Sequence, residues 1–203
     1  MKQDQPKRGN VCVFCASSAH IDATYFDAAR ELGRLLAQGG WHCVNGGGQS
    51  GLMGAVTDGV LDAGGEVTGV IPKFMMDNGW EHKRIQDFII TADMHQRKLT
   101  MSEMSQAVIA MPGGVGTLEE LLEALTWRQL ELVEATPIII LNVNGYYDAL
   151  LQLLDHAIEE GFMKPSHSRL WMVVDTPREA VKALEHLQPV TFESKNPPHH
   201  AQH

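Results

Sequence analysis

Hydrophobic positions follow two alternating patterns along this chain. Short runs such as 107–111 and 137–142 are apolar over nearly their whole length, which is typical of parallel strands covered on both faces. Longer stretches such as 25–38 place apolar residues every three or four positions, which is typical of amphipathic helices. The predicted strands are 11–15, 41–45, 67–71, 85–90, 107–111, 137–142 and 170–174. The predicted helices are 25–38, 52–63, 94–105, 118–133, 146–160 and 177–186.

Strands and helices in alternation predict a doubly wound, Rossmann-like α/β fold, with a mainly parallel sheet and helices on both faces. We assign residues 10–187 to this single domain, because no linker or internal repeat divides it. Residues 1–9 and 192–203 are expected to be disordered tails, and the second contains an Asn-Pro-Pro run and three histidines. Ligands of such sheets bind beyond the carboxyl ends of the strands, where this chain has two glycine-rich loops.

Composition restricts the class of partner. The 203-residue chain has 44% hydrophobic and 20% charged residues, as a globular domain with a sizeable core does. Its net charge of −9 argues against a nucleic-acid partner, although a few N–H groups and one arginine could hold a small phosphate. The N-terminal segment lacks the apolar part of a signal peptide, and no apolar run is long enough to span a membrane. We therefore expect a cytoplasmic protein with no membrane contact.

The three cysteines are Cys12, Cys15 and Cys43. Cys12 and Cys15 have the C-x-x-C spacing of a redox pair, but they lie in a predicted buried strand. Alternation along a strand directs their thiols to opposite faces of the sheet. This favours core cysteines over a redox pair, and the sequence contains no second Cys pair that would support a zinc site.

The most informative segment is residues 112–120, Pro-Gly-Gly-Val-Gly-Thr-Leu-Glu-Glu, which joins a predicted strand to a predicted helix. Glycines at such a junction expose backbone N–H groups at the positive end of the helix, a geometry that suits a phosphate. The same segment ends in two carboxylates, Glu119 and Glu120. It therefore combines anion binding with groups capable of acid–base chemistry.

A structural explanation also exists for one of these glutamates. Thr117 and Glu120 fit a capping box, in which Thr117 is the N-cap of the helix. Thr176 and Glu179 have the same spacing without a glycine loop before them, and there we expect capping alone. Capping could explain Glu120 unaided, whereas the preceding glycines favour a chemical role for Glu119 or Glu120.

A second glycine-rich loop, residues 46–54, follows the predicted strand 41–45. Gly46, Gly48 and Gly51 satisfy G-x-G-x-x-G, but the next strand does not end in the acidic residue that a dinucleotide site needs. Neither loop is followed by Gly-Lys-Ser/Thr, so a P-loop for nucleoside triphosphates is not indicated. Tight turns and close packing are the alternative roles for these glycines. Two such loops in one sheet favour a ligand with a sugar phosphate.

Met94, Arg97, Met101 and Met104 share one helix face. Because the other three positions look like core, Arg97 should point toward the interior or a cleft, where an unpaired guanidinium is costly. A phosphate, a ribose hydroxyl or a carboxylate could be its partner. The alternatives are a buried salt bridge and a side chain that reaches solvent. Lys98 lies on the flank of this face and is predicted to be solvated.

Residues 46–54, 94–98 (Met-His-Gln-Arg-Lys) and 112–120 together closely resemble the LOG (Lonely Guy) family. Its members are cytokinin riboside 5′-monophosphate phosphoribohydrolases that are often mislabelled lysine decarboxylases. The family pattern P-G-G-x-G-T-x-x-E with an upstream M-H-x-R-K is met in both parts. The resemblance extends from about residue 10 to residue 186 and includes residues 141–147.

The resemblance implies hydrolysis of the N-glycosidic bond of AMP or of its N6-prenylated form, giving free base and ribose 5-phosphate. It implies that Arg97 and Glu120 are the catalytic pair. The implied substrate- and phosphate-binding residues are Gly113, Gly114, Gly116, Thr117, Gly46, Gly47, Gly48, Ser17, Ser18, Met94 and Lys98. We expect neither a cofactor nor a metal. The family is dimeric or larger, with sites near subunit boundaries, so we expect a homodimer or a larger homo-oligomer.

Two departures from the family pattern bear on the substrate. Residues 16–18 read Ala-Ser-Ser instead of the usual Gly-Ser-Ser, and Val115 replaces an aromatic residue that is often found in the P-G-G-x-G segment. Met75, Met76 and Trp80 lie in a turn-rich segment and are candidates for lining a base or prenyl pocket. Ordinary packing or a subunit contact would explain these three residues equally well.

Cleavage of a ribosyl–base bond develops oxocarbenium character on the sugar, so a carboxylate near the anomeric carbon can stabilise the cation or activate water. We assign this role to Glu120 and orientation of the phosphate or ribose to Arg97. The rival functions are a non-catalytic nucleotide carrier or sensor and a nucleosidase of broader specificity. Lysine decarboxylation is set aside, because the sequence gives no sign of a Schiff-base lysine in a pyridoxal site.

Overall fold

Strands and helices alternate in the computed structural model, which describes residues 8–132 and 136–185. The strands are β1 (Gly9–Phe14), β2 (Trp41–Asn45), β3 (Val67–Pro72), β4 (Asp87–Thr91), β5 (Ala107–Ala110), β6 (Ile138–Leu141) and β7 (Trp171–Val174). The α-helices are α1 (Ala23–Gln38), α2 (Gly51–Asp62), α3 (Lys73–Asp77), α4 (Met94–Met104), α5 (Val115–Gln129), α6 (Asp148–Glu159) and α7 (Pro177–Glu185). Two 3-10 turns, Val143–Gly145 and Pro165–Arg169, complete these elements.

The strands form one sheet in the order β4-β3-β2-β1-β5-β6-β7, and every pairing in it is parallel. β1 lies in the middle of this sheet. The chain adds β2, β3 and β4 outward on one side and then crosses back to add β5, β6 and β7 on the other. The loops that follow β2 and β5 therefore diverge on either side of the end of β1, where a doubly wound sheet opens a crevice. The predicted Rossmann-like fold is confirmed.

Each face of the sheet has its own apolar core. Helices α1, α2 and α7 cover one face, and buried residues such as Leu32 and Val56 pack there. Helices α4, α5 and α6 cover the other face, where Met101 and Leu121 are buried. Burial on both faces explains why the central strands are apolar along their whole length. Among the described helices, none has both the length and the apolar character needed to cross a bilayer.

The three cysteines are free, buried thiols, as the sequence predicts. Cys12 belongs to the core under α4 and α5, whereas Cys15 and Cys43 belong to the core under α1 and α2. Burial raises the pKa of all three thiols, which disfavours the reactive thiolate. Cys12 in β1 and Cys15 directly after it therefore lie on opposite faces of the sheet and do not form a redox pair.

Most predicted elements agree with the structure to within two or three residues. The short helix α3 was not predicted, because its sequence Lys-Phe-Met-Met-Asp is too short to show periodicity. Helix α5 begins at Val115, three residues before the predicted start. Gly9 belongs to β1, although the N-terminal tail was predicted to include it. The remainder of both predicted tails lies outside the described residues, apart from Arg8, and so do residues 133 and 186 at the ends of two predicted helices. Helix α5 ends at Gln129, so residues 130–132 of the predicted helix 118–133 are not helical.

Candidate functional site

A cavity of about 600 Å³ opens at the carboxyl ends of the central strands. Its walls come from the residues after β1, from the glycine-rich loops after β2 and β5, and from helix α4. The predicted site residues that line this cavity are Ser17, Ser18, Gly46, Gly48, Met94, Arg97, Gly114, Gly116, Thr117 and Glu120. Gly47, Gly113 and Lys98 lie behind the lining. Four segments that are distant in the sequence thus meet at one crevice.

The loop before α5 offers unused backbone donors to the cavity. Gly114 is the N-cap of α5, and it has no side chain that could accept a hydrogen bond from the first turn. The first intrahelical bond runs from the Leu118 N–H to the Gly114 carbonyl at 3.0 Å. The N–H groups of Val115, Gly116 and Thr117 come before that bond and have no intrahelical acceptor. Together with the positive end of the helix dipole, they suit an anion such as a phosphate.

The capping box predicted for this helix is wrong. Thr117 is the third residue of α5, and its side chain packs on Gly113, where an added Cβ would lie 2.1 Å from the Thr117 Oγ1. Glu120 lies one turn further along and lines the cavity instead of capping the helix. The second predicted capping box is confirmed, because the Glu179 carboxylate accepts from the Thr176 N–H at 3.0 Å and the Glu179 N–H donates to the Thr176 hydroxyl at 3.3 Å.

Two consecutive tyrosines hold the carbonyls at the start of this loop. The Tyr146 hydroxyl donates to the Gly113 carbonyl at 2.5 Å, and the Tyr147 hydroxyl donates to the Met111 carbonyl at 2.6 Å. The two rings meet edge to face, with centroids 5.1 Å apart. Sequence reasoning gave these tyrosines no role. The available signal was a Tyr-Tyr pair directly after an Asn-Gly turn, because a buried phenol needs a hydrogen-bond partner.

The loop after β2 uses its donors within the protein. The Gly47 N–H donates to the Asn45 side-chain oxygen at 2.8 Å, and the Gln49 N–H donates to the Trp80 carbonyl at 3.0 Å. Between them, the Gly48 N–H lies 3.1 Å from a methionine sulfur. Three successive N–H groups are therefore occupied before any ligand arrives. The G-x-G-x-x-G spacing here supports packing rather than a dinucleotide phosphate.

Arg97 is a buried cation that faces the cavity. Its side chain is 5% exposed, and its Nη1 lies 3.5 Å from the Met94 sulfur and 3.9 Å from the Met75 sulfur. Within the described part of the chain, no carboxylate forms an ion pair with Arg97, and its Nε has no partner. Both the buried salt bridge and the solvent-reaching side chain are therefore wrong. A buried guanidinium without a partner is costly, so an anionic ligand would stabilise it.

Gly46 provides the space for this guanidinium. A Cβ added to Gly46 would lie 1.6 Å from the Arg97 Nη2, a distance at which the arginine would have to move. The first glycine loop thus contributes to the site through close approach to a side chain, not through its amides. This is one position in the loop where the absence of a side chain is required.

Glu120 is a partly buried carboxyl beside Arg97. Burial raises its pKa to about 7, against the opposing effect of the Arg97 charge, and the neighbouring Glu119 raises it further. A carboxyl with a pKa near neutrality can exist in both protonation states at physiological pH. Glu119 lines the same cavity, but half of its side chain is exposed and it pairs with Lys98.

Lys98 is buried, which contradicts the prediction that it is solvated. Its side chain is 7% exposed, and its ammonium binds the carboxylates of Glu119 and Glu123, the second at 3.0 Å. Although burial opposes it, these two carboxylates raise the pKa of Lys98, so the residue stays charged. The sequence pattern of α4 alone could not show this, because both partners lie on α5.

One part of the cavity wall is apolar. It consists of Met53, Ile71, Met75, Trp80 and Met94. Of the three residues predicted from the sequence as candidates for a base or prenyl pocket, Met75 and Trp80 line the cavity, whereas Met76 does not. Thioether and indole side chains form an adaptable, polarizable surface that suits a planar base.

The segment that carries Trp80 is attached to the first glycine loop. The His82 N–H donates to the Gly47 carbonyl at 2.8 Å, and both His82 and Arg84 pair with Asp58 on α2. These contacts hold Trp80 at the rim of the cavity although half of its side chain is exposed.

In residues 8–132 and 136–185, no group of three or more His, Cys, Asp and Glu side chains is arranged to hold a metal ion.

Comparisons with known proteins identify relatives of this chain. Residues 53–184 match a family model described as "Possible lysine decarboxylase". The chain is 45% identical over 179 residues to the cytokinin riboside 5′-monophosphate phosphoribohydrolase LOG3 of Arabidopsis thaliana, covering 88% of this chain and 83% of that protein. It is 46% identical over 178 residues to the probable phosphoribohydrolase LOGL3 of Oryza sativa subsp. japonica, covering 88% of this chain and 84% of that protein.

The fold also occurs in proteins of lower similarity. The solved structure of a molybdenum cofactor binding protein from Rippkaea orientalis has a TM-score of 0.68 at 22% identity, covering 89% of this chain and 98% of that chain. At that level of identity the likeness concerns the fold alone. Because relatives at about 45% identity cover most of both chains, this chain belongs to the LOG (Lonely Guy) family of phosphoribohydrolases.

Proposed function

We propose that this protein hydrolyses the N-glycosidic bond of AMP and of cytokinin riboside 5′-monophosphates, giving the free base and ribose 5-phosphate. The observation that carries this proposal is that an unpaired buried cation, three unused backbone N–H groups and a partly buried carboxyl line one cavity. A nucleoside monophosphate offers one group to each of them. The names of the relatives support the same reaction.

The 5′-phosphate would bind at the start of α5. The N–H groups of Val115, Gly116 and Thr117 supply donors there, and the buried Arg97 supplies the compensating positive charge. Binding of the phosphate relieves the cost of the unpaired guanidinium. It also fixes the ribose relative to the carboxyl, so that binding energy from a remote group positions the reacting bond.

Glu120 would act on the ribose. As the bond between C1′ and the base breaks, positive charge develops on the sugar, and an ionised carboxylate stabilises it or removes a proton from the attacking water. The water oxygen becomes the C1′ hydroxyl, and the base leaves with a proton. With a pKa of about 7, a substantial fraction of Glu120 is ionised near neutral pH, and the rest carries a proton.

The base would lie against the apolar wall. Met75 and Trp80 are on that wall, and a prenyl group on N6 would extend along it. Replacing Trp80 by Ala should change the ratio of kcat/KM for isopentenyladenosine monophosphate and AMP more than it changes the affinity for ribose 5-phosphate. An unchanged substrate ratio would remove Trp80 from the base site.

One experiment separates the candidate functions. The purified protein is incubated with AMP, GMP, CMP and isopentenyladenosine 5′-monophosphate, with adenosine as the matched substrate that lacks the phosphate, and free base is measured by chromatography. Release of adenine from AMP but not from adenosine is expected. AMP binding without base release would favour a nucleotide carrier, and equal rates with GMP and CMP would favour a nucleosidase of broad specificity.

We also propose that the protein acts in the cytoplasm as a homodimer or larger homo-oligomer. Val115 is 83% exposed at the rim of the cavity, and Leu122 on the same helix is also exposed. Exposed apolar residues beside a site are suited to a subunit contact. Sedimentation velocity of the purified protein would test this, and a monomer at micromolar concentration would contradict it.

A further inference from the structure

Lys98 occupies an unusual place between the two helices that carry the proposed catalytic pair. It follows Arg97 on α4, and its partners Glu119 and Glu123 flank Glu120 on α5. The ammonium is buried, whereas Glu119 and Glu123 are partly exposed. Lys98 is therefore the shared centre of a three-residue ion cluster that joins the two helices immediately behind the cavity.

The geometry separates Lys98 from the ligand. Its neighbour Arg97 lines the cavity, but Lys98 lies behind the lining and its ammonium is already bound to two carboxylates. A phosphate in the cavity would have to displace one of them to reach it. Glu119 and Glu123 are four residues apart on one face of α5, so a single ammonium between them fixes the rotation of that helix relative to α4.

The cluster also sets the electrostatic surroundings of Glu120. The groups that face this carboxyl are Arg97 and Lys98 from α4, Glu119 and Glu123 from α5, Cys12 from β1, Cys15 directly after β1, and Tyr147 after β6. The thiols and the phenol are neutral at physiological pH, because burial raises their pKa values. Two cations and two carboxylates remain, and their charges balance. Without Lys98, two carboxylates would face Glu120 against one cation.

We propose that Lys98 is a positioning residue for the hydrolysis proposed above and not a ligand of the phosphate. It holds the start of α5 against α4, so that Arg97 and Glu120 face the same ligand, and it offsets the negative charge of Glu119 and Glu123 beside the reacting carboxylate. The effect of Lys98 on hydrolysis rests on the proposed function. Its effect on the ionisation of Glu120 is a property of the protein without substrate.

The test uses variants with opposite expected effects on Glu120. Lys98→Met removes the compensating charge and should move the titration of Glu120 to higher pH, whereas Glu119→Gln removes a repelling charge and should move it to lower pH. Each displacement should be roughly half to one pH unit, the size expected of one partly screened neighbouring charge. Lys98→Arg should restore the wild-type titration. Lys182→Met, on the exposed face of α7, is the matched control and should leave it unchanged.

Two readouts are needed. Carbon-13 NMR of glutamate side chains, assigned through Glu120→Gln, follows the Glu120 titration in the full-length protein without substrate. The pH dependence of kcat and KM for AMP follows the reaction. Lys98→Met should move the acidic limb of kcat upward, in the same direction as the NMR titration, with KM for AMP changed less than threefold.

The possible failures are distinguishable. A large rise in KM for Lys98→Met, with the Glu120 titration unmoved, would make Lys98 a phosphate ligand and overturn the inference. Shifts of the same sign in Lys98→Met and Glu119→Gln would also overturn it, because a general loss of packing does not depend on the sign of the removed charge. If the wild-type protein releases no base from any nucleotide, the proposed function fails, while the NMR titrations still decide the role of Lys98.

Discussion

The glycine loop after β2 and the glycine loop before α5 both join a strand to a helix at the same edge of the sheet, but they use their backbones differently. In the first loop, three successive N–H groups are bound within the protein. In the second, the N–H groups of the first helical turn have no intrahelical acceptor and belong to residues that line the cavity, while Tyr146 and Tyr147 bind carbonyls at the start of the loop. The first loop shapes the cavity, and the second offers donors to a ligand.

This difference shows that glycine content alone does not identify a phosphate site. Gly46 is required because the Arg97 guanidinium occupies the place of a side chain. Gly114 acts in another way, because it begins a helix without a side chain that could accept a hydrogen bond from the N–H groups of the first turn. The deciding question for each loop is where its N–H groups find acceptors.

The largest expected effect tests whether the second loop also supplies the chemistry. Glu120→Gln keeps the size of the side chain but removes its charge, so kcat for AMP should fall by roughly 10²–10⁴-fold. Glu119→Gln is the matched control in the same cavity and should lose less than about tenfold. Free-base release by chromatography measures both, with circular dichroism to check folding. Normal turnover by Glu120→Gln beside an inactive Glu119→Gln would transfer the role to Glu119.

A second pair of variants tests how the first loop contributes. Gly46→Ala should displace the Arg97 guanidinium and reduce kcat/KM by roughly ten- to a hundredfold. In Gly48→Ala the added Cβ would lie 3.2 Å from the sulfur of the flexible Met53 side chain and at ordinary contact distance, 3.9 Å, from the Trp80 carbonyl, so a much smaller loss is expected. Steady-state kinetics with AMP compares the two. Equal losses would mean that the loop acts through its own backbone and not through Arg97.

The raised pKa of Glu120 has a consequence for stability. An unfolded glutamate ionises near pH 4.5, whereas folded Glu120 keeps its proton to about pH 7, so the free energy of unfolding falls as pH rises through this window. Between pH 5 and pH 8 the wild type should therefore lose about 1–3 kcal/mol more than Glu120→Gln. Urea unfolding at both pH values measures this difference. Parallel pH dependence in the two proteins would place Glu120 in a more solvated environment.

The smallest expected effect concerns the support of the second loop. Tyr147→Phe leaves the buried Met111 carbonyl without its hydroxyl donor and should cost about 1–2 kcal/mol of unfolding free energy. Tyr146→Phe should cost less, because Tyr146 is 42% exposed and water can replace its hydroxyl. Thermal or urea denaturation ranks the two variants. A larger loss of unfolding free energy in Tyr146→Phe would mean that Tyr146 stabilises the loop more than Tyr147 does.

The sequence predicts the strands well because a parallel sheet covered on both faces requires uninterrupted apolar runs. It also brings the three site segments together, because doubly wound topology places the loops after β2 and β5 beside the end of β1. The start of α5 was misplaced because a threonine followed by a glutamate three residues later has the same spacing whether or not it caps. In the structure Gly114 is extended and forms the N-cap, so helix α5 begins at Val115, before Thr117.

The surroundings of Lys98 could not be predicted from periodicity. A helical pattern predicts the burial of a position from the other residues of the same helix. Lys98, however, is buried and paired with two carboxylates of another helix. Arg97 was easier to interpret, since its neighbours on the helix face are methionines. The difference between these adjacent cations lies in partners that only the folded chain brings near.

The central position of β1 also determines when the site can exist during synthesis. A nascent chain that has emerged only as far as α4 contains Arg97 and the first glycine loop, but β1 then has an unpaired edge where β5 will later lie. Such an open edge favours aggregation. The segment that pairs with this edge, β5, leads directly into the loop and helix that carry Glu120. Translation of the next segment, from β5 to Glu120, thus both pairs the free edge of β1 and adds the carboxyl to the crevice, so a product truncated after α4 would lack the two together.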